Sequence, residues 1–324
     1  MTRIRWSSLR SRLEPLLGRR SPRAPGLGEL AGLVHRLGVL LAAGLAPARA
    51  WRFAARGPFE SIGARVWEAA ERSGPAAIPE AIVDASRARD PTAAAWAGLA
   101  ATWSVSASAG APLAPTLRAY AETLRGFASA ERDARIALAG PRATSRLVLV
   151  LPLVAVGFGA LLGQDTIGVL VGSPIGWTCL AVGAGLGLAG AAWTRRLLHG
   201  AAAFEGLPGL VEELTAVAVS GGVSLARARD LVERALVGHD LDADRAGADA
   251  VLDLAAASGA PAGELLRAEA DERRRSAVAD ARERAERLSV SLMLPLGVCV
   301  LPAFVAVGVV PLMLAVLGST LEIV

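Results

Sequence analysis

From Leu288 to Thr320 the chain carries no charged residue, and the centre of this stretch reads LMLPLGVCVLPAFVAVGVVPLMLAVL. Two shorter runs share the character: LVLVLPLVAVGFGALLG from Leu147 to Gly163, and IGWTCLAVGAGLGLAGAAW from Ile175 to Trp193. A helix crosses a bilayer with about 20 apolar residues, in a range of roughly 17–25. The shorter runs fit single spans, and the third is long enough to cross with a tilt or a kink. The chain is 53% hydrophobic but only 4% aromatic, so its apolar content is Ala, Leu, Val and Gly. Alanine and leucine favour helix, and the β-branched and aromatic mixture of a β-protein is thin. Mean hydropathy is +0.45, above that of a typical soluble domain. The expected fold class is all-α: a polytopic membrane protein with about three transmembrane helices.

Arginine sets the expected orientation. Arg146 precedes the first run, Arg195 and Arg196 follow the second, and Arg287 precedes the third, whereas the loop QDTIGVLVGSP holds one Asp and no Arg. The positive-inside rule then places the N-terminal and middle regions in the cytoplasm. The expected boundaries are a basic leader at 1–27, a cytoplasmic helical domain at 28–146, a span at 147–163 and an external loop at 164–174. A second span at 175–194, a shorter cytoplasmic domain at 206–287, a third span at 288–317 and an external tail at 318–324 complete the chain. The localisation is the cell (inner) membrane, multi-pass, with the N-terminus cytoplasmic. Pro295, Pro302 and Pro311 leave open a re-entrant hairpin in the last segment, but such prolines more often kink a packed helix. Residues 1–25 hold seven Arg against one Glu, a composition suited either to anionic headgroups or to a solvated tail.

Several chemistries are unavailable. All 34 basic residues are arginine, so a Walker A lysine and Schiff-base chemistry are both ruled out. Any ATP used in the protein's service is hydrolysed by another chain. Cys179 and Cys299 lie inside apolar runs and read as small hydrophobes, and His35, His199 and His239 show no metal-ligand spacing. No cofactor, metal or catalytic residue is expected. The run GAGLGLAG sits inside an apolar span with no preceding strand, so it is not a nucleotide loop. No acid or base lies within a span, which gives no sign of a proton relay. Nothing interleaves aromatics with basic residues as a nucleic-acid partner would require.

The chain says nearly the same thing twice. ASAGAPLAPTLRAYAETLR begins at Ala107, and AASGAPAGELLRAEADERR begins at Ala256. Upstream of these stand LVHRLGVLLAAGLAPARAW, from Leu33, and LVEELTAVAVSGGVSLARA, from Leu210. Each begins as an amphipathic helix, with Leu33, Leu37, Leu40 and Leu41 in one and Leu210, Leu214 and Val217 in the other. Gly44 and Gly222 are expected to end those helices, Gly110 and Gly259 to cap the next, and Pro112 and Pro261 to open the helices that follow. Long charged helices then lead into apolar runs bearing Leu151-Pro152-Leu153 and Leu294-Pro295-Leu296. In the second, Asp271–Arg275, Asp280–Arg284 and Glu283–Arg287 are spaced for ion pairs. The second unit is shorter between its glycine turn and its Gly-Ala-Pro. Arg118 and Arg267 occupy matching places and are either exposed face residues or contacts to a partner. Gly159 with Gly163, and Gly183 with Gly187, are small pairs that let helices approach closely, while Pro152, Pro295 and Pro302 are kink positions.

In order and duplication, these features resemble the type II secretion system F-domain family. Its members are inner-membrane platform proteins of type II secretion, type IV pilus and Tad (Flp) pilus machines. The resemblance runs from residue 28 onward and implies two repeated helical-bundle domains and no catalysis. It also implies a platform that couples a cytoplasmic secretion or pilus ATPase to pilin or pseudopilin assembly, beside another F-domain subunit in a homo- or hetero-oligomer and within membrane lipid. The alternative is a membrane permease subunit docking a separate ATPase. That class predicts more spans with polar groups inside them. An enzyme acting at the membrane surface would need a His, Ser or acid constellation, and none can be assembled.

Overall fold

The computed structural model describes residues 26–86, 92–137, 154, 157, 173–200, 206–242, 244–311 and 313. Among them all regular structure is helical. The helices are α1 (Leu27–Ala42), α2 (Pro47–Ala54), α3 (Glu60–Ser73), α4 (Ile78–Ser86), α5 (Ala93–Ala109), α6 (Leu113–Ala137) and α7 (Pro174–Gly200). There follow α8 (Leu210–Ser220), α9 (Leu225–Gly238), α10 (Ala246–Ser258) and α11 (Ala262–Ser291). A C-terminal helical run then alternates α and π turns: Met293–Pro295, Leu296–Val300, Leu301–Phe304 and Val305–Val309. Most of the first expected span, with Pro152, Gly159 and Gly163, lies outside the described residues, as do the leader to residue 25 and the tail.

The chain forms two compact units. One gathers Met1–Gly126 with Leu210–Ala270, and the other Phe127–Gly209 with Asp271–Val324. The first unit has a conventional core. Trp51, Trp96, Leu33, Leu37, Ile82, Leu99, Leu117 and Leu214 are fully buried in it. Helix α5 is its centre, packed against α4 on one side and against α8 and α9 on another. That position explains its composition: AAAWAGLAATWSVSASA has no polar stripe, and buried residues stand all round it. Small residues let the neighbours close in, while Trp96 meets Phe59 edge-on and Trp103 tilts against Trp51. Tyr120 Oη donates to the Ala95 carbonyl at 2.7 Å, fixing α6 to the start of α5.

The second unit reverses this pattern. Among the described residues, all the large exposed apolar side chains except Val39, Phe53, Val237 and Leu254 belong to it. Trp177, Val182, Leu188, Val290, Met293, Val298 and Leu301 face outward, while Gly176, Gly183, Gly190, Cys299, Ala303 and Gly308 are buried. Large apolar residues outside and small ones inside suit a solvent of hydrocarbon, which drives packing through close approach rather than through burial of large side chains. Two helical stretches are long and apolar enough to cross a membrane: Pro174–Leu197, of 24 residues, and the continuous path Ala262–Val309 through its apolar half.

The described part of the last segment stays helical from Met293 through Val309. Its irregularities follow from its prolines, each of which lacks an N–H and clashes with the carbonyl four residues earlier. That carbonyl belongs to Ser291 for Pro295, Val298 for Pro302 and Val307 for Pro311. Ser291 ends α11, and Val298 and Val307 fall in the two π-helical stretches, where the widened turn makes room.

Candidate partner surfaces

The glycine turns of the first unit adopt matching conformations. Gly44 and Gly222 both have φ +84°, and Gly110 and Gly259 have φ +71° and +72°. These are left-handed values that a side chain disfavours, so glycine ends each helix at low cost. After Gly44 and Gly110 the chain closes in the same way: Leu45 N–H donates to the Leu40 carbonyl at 3.1 Å, and Ala111 N–H to Ser106 at 2.9 Å. Pro112 and Pro261 stand immediately before α6 and α11 rather than within their first turns. There their carbonyls accept from Thr116 N–H (3.5 Å) and from Glu264 and Leu265 N–H (3.1 and 3.2 Å). A missing proline N–H costs nothing at that place, where no helical partner exists.

Arg118 and Arg267 are both exposed. Arg118 Nε lies 3.4 Å from the Ala114 carbonyl, and a Cβ on Gly38 would come within 2.9 Å of Arg118 Cγ. Its stem therefore runs over α1 while its head reaches solvent. Arg267 folds back along α11, its guanidinium 3.8 Å from where a Cβ on Gly263 would stand. Neither is in an ion pair among the described residues. The two therefore remain available as cationic contacts.

Sequence spacing did not reveal the groove between α8, α9 and α10. It encloses about 210 Å³ over a floor that includes Val211, Val232 and Leu252. Helices α9 and α10 are tied across it by long arginines. Arg229 donates to Asp249 and Asp253, both at 2.8 Å, and Arg245 pairs with Glu233 at 2.9 Å. The hydrogen bond to Asp253 does most to hold the Arg229 pKa above its ordinary value. Arg229 lies 20 and 24 residues from its partners, and Arg245 pairs across a helix boundary, so neither link follows from helical periodicity. Glu212 is buried on the neighbouring α8.

His239 ends α9 and lies 3.0 Å by its Nε2 from the Ser104 hydroxyl of α5. Burial lowers its pKa, against the opposing pull of the Glu80 carboxylate. A third join is tighter still. A Cβ on Gly221 would stand 2.2 Å from the carbonyl oxygen of Ala109, so the Gly221–Gly222 turn is seated on the end of α5 beside Gly110.

In the second unit, α7 packs along the C-terminal run. Leu197 lies against Leu288 and Leu292, and a Cβ on Gly183 would meet Val307 Cγ2 at 2.1 Å. Residue numbers fall along one helix as they rise along the other, so the pair is antiparallel. Gly183 is therefore the contact that lets the helices close. Gly187 has nothing within 4 Å of a Cβ and plays no such part. Gly176 and Gly190, each seven residues from Gly183, are buried as well.

On the charged helix α11, Glu283 and Arg287 pair at 2.5 Å as their spacing predicts. Asp271 instead pairs with Arg274 (3.1 Å), Arg275 with Glu272 (3.0 Å), and Arg284 Nε donates to the Asp280 carbonyl oxygen. Arg282 reaches Asp133 at 3.1 Å. Among the described residues no cluster of three His, Cys, Asp or Glu could hold a metal. Compared with protein-family models, curated proteins and solved structures, the chain matches none.

Proposed function

We propose that the chain is a non-enzymatic platform of the cell membrane. It would couple a cytoplasmic secretion or pilus ATPase to the assembly of pilin or pseudopilin subunits in a Tad, type IV-like or type II secretion machine. In this reading the two duplicated helical domains are cytoplasmic, about three spans anchor them, and the protein works beside another platform subunit. The observation that carries it is the ordered repetition in the sequence. Helix, glycine turn, helix, Gly-Ala-Pro turn, charged helix and Leu-Pro-Leu-bearing apolar run occur twice in that order, and the paired glycines share their φ values. The inverted polarity of the second unit supports the membrane part of the reading, and the exposed Arg118 and Arg267 supply cations for an acidic face of the ATPase.

The test is co-purification from detergent with the secretion ATPase of the same cell, comparing wild type with Arg118→Glu plus Arg267→Glu. The expected result is a complex with wild type that is lost in the double variant, while circular dichroism shows unchanged helix content. Absence of any complex with wild type overturns the platform reading. A complex indifferent to the substitutions removes the two arginines from the interface.

A further inference from the structure

We infer that the first unit binds a second copy of this chain head to tail. The α1–α2 face of one copy seats on the α10 face of the next, as α8 and α9 seat on α5 within the chain. This join rests on the duplicated architecture proposed above, and it makes the neighbouring platform subunit the same chain.

Residues of the two halves match by count from their glycine turns. Ala43 N–H donates to the Val39 carbonyl and Gly44 N–H to Leu41, just as Gly221 N–H donates to Val217 and Gly222 N–H to Val219. Gly110 N–H and Gly259 N–H donate to Ser106 and Ala255, each four residues back. Counted from these turns, α1 and α2 match α8 and α9, and α5 matches α10.

Within the chain, α5 receives the other half along one side. Its Ala109 lies under Gly221 of α8, and its Ser104 hydroxyl meets His239 at the end of α9. At about 3.6 residues per turn, Ala101 and Val105 fall between those two contacts on the helix surface. Both are buried. Their matches on α10, Ala250 and Leu254, are exposed, as are Asp253 and Ser258, the matches of Ser104 and Ala109. The arriving side shows the same contrast. Val217 of α8 and Leu231 of α9 are buried, whereas their matches Val39 and Phe53 are 48% and 51% exposed. Of the four large apolar side chains exposed on the described part of the first unit, Val39, Phe53 and Leu254 thus belong to the two halves of one join. That join pairs unlike faces, so its repetition between molecules is heterologous.

Charge suits the same occupant. From Leu30 to Ala42 and through α2 the chain holds Arg36, Arg49 and Arg52 and no acid, while α10 holds Asp249 and Asp253 and no base. Asp253 pairs with Arg229 yet keeps 76% of its side chain exposed. One difference sets the closeness of the join. Ala43 carries the methyl group that Gly221 lacks, so the helices of two copies stand farther apart than α8 and α5 do.

The experiment follows disulfide formation in native membranes between two differently tagged versions of the full chain, both carrying Cys179→Ala and Cys299→Ala. One adds Ala43→Cys and the other Ser258→Cys, the matches of Gly221 and Ala109. A Cβ on Gly221 would stand 3.0 Å from Ala109 Cβ, and a disulfide takes about 3.5–4.5 Å between Cβ atoms, the separation of a slightly looser join. The expected result is an oxidised product bearing both tags. Glu71→Cys, exposed on α3, is expected to give little product in place of Ala43→Cys. Adding Leu254→Arg to the Ser258→Cys chain is expected to lower the yield about tenfold, the factor that burial of one leucine supplies. Leu254→Met is expected to keep it, and circular dichroism to stay unchanged in both. A yield no greater than that of the Glu71 control overturns the inference, as does a yield indifferent to Leu254→Arg. A higher yield between two Ala43→Cys chains puts α1 against α1 and overturns it too. The readout needs no ATPase. Loss of the α1–α10 product beside an intact ATPase complex rejects the join alone, and the product without an ATPase complex rejects the coupling alone.

Discussion

At the scale of single residues, apparently equivalent glycines are not alike. Gly221 faces a backbone carbonyl that cannot rotate away, so Gly221→Ala is expected to destabilise the protein by about 1–3 kcal/mol through overpacking. Gly126 is exposed within α6 and has nothing within 4 Å of a Cβ. Gly126→Ala is therefore expected to stabilise by about 0.5–1 kcal/mol, because alanine has less backbone freedom to lose. Thermal unfolding in detergent followed by circular dichroism separates the two signs. His239 gives a pH dependence. Its pKa is lower folded than unfolded, so above its ordinary value near 6.5 neither state binds the proton, and below it the unfolded state binds first. Stability is expected to fall as pH drops from about 6.5, and His239→Gln, which can still reach Ser104, to flatten that slope in melts at pH 7.5 and 5.5.

At the scale of elements, packing decides which small residues matter. Gly183→Ala places a methyl group against Val307, whereas Gly187→Ala enters open space. The first is expected to lower the detergent melting temperature, at a cost of about 1–3 kcal/mol, and the second to leave it nearly unchanged. Equal effects would mean that α7 and the C-terminal run do not meet at Gly183. The prolines act on a single element. Each is accommodated by the turn before it, and the π-helical stretches add residues without ending the helix. Local sequence announces the three prolines, but whether they break the segment depends on the helix alongside it.

At the scale of the whole molecule, one chain supplies two units with opposite rules of burial. The first hides tryptophan and leucine around α5; the second hides glycine and alanine along α7 and the C-terminal run, with Leu288 and Leu292 at one end, and exposes most of its large apolar side chains. Detergent removal is accordingly expected to aggregate the full chain even at low temperature. Light scattering before and after detergent depletion checks this, and a monodisperse chain without detergent would contradict it. The Arg118→Glu and Arg267→Glu pair belongs to this scale too, since the ATPase proposed as partner would sense their spacing and not their local turns.

The all-helical class, the candidate spans at 175–194 and in the last segment, and the glycine turns were legible in the sequence, because each depends on neighbours within a turn or two. Hydrophobic length, helix propensity and left-handed capping are local quantities. The groove under Arg229, the His239–Ser104 contact, the seating of Gly221 on Ala109 and the choice of Gly183 over Gly187 were decided only in three dimensions. Each pairs residues from different helices, and a periodic pattern shows which face of a helix is buried without showing what buries it.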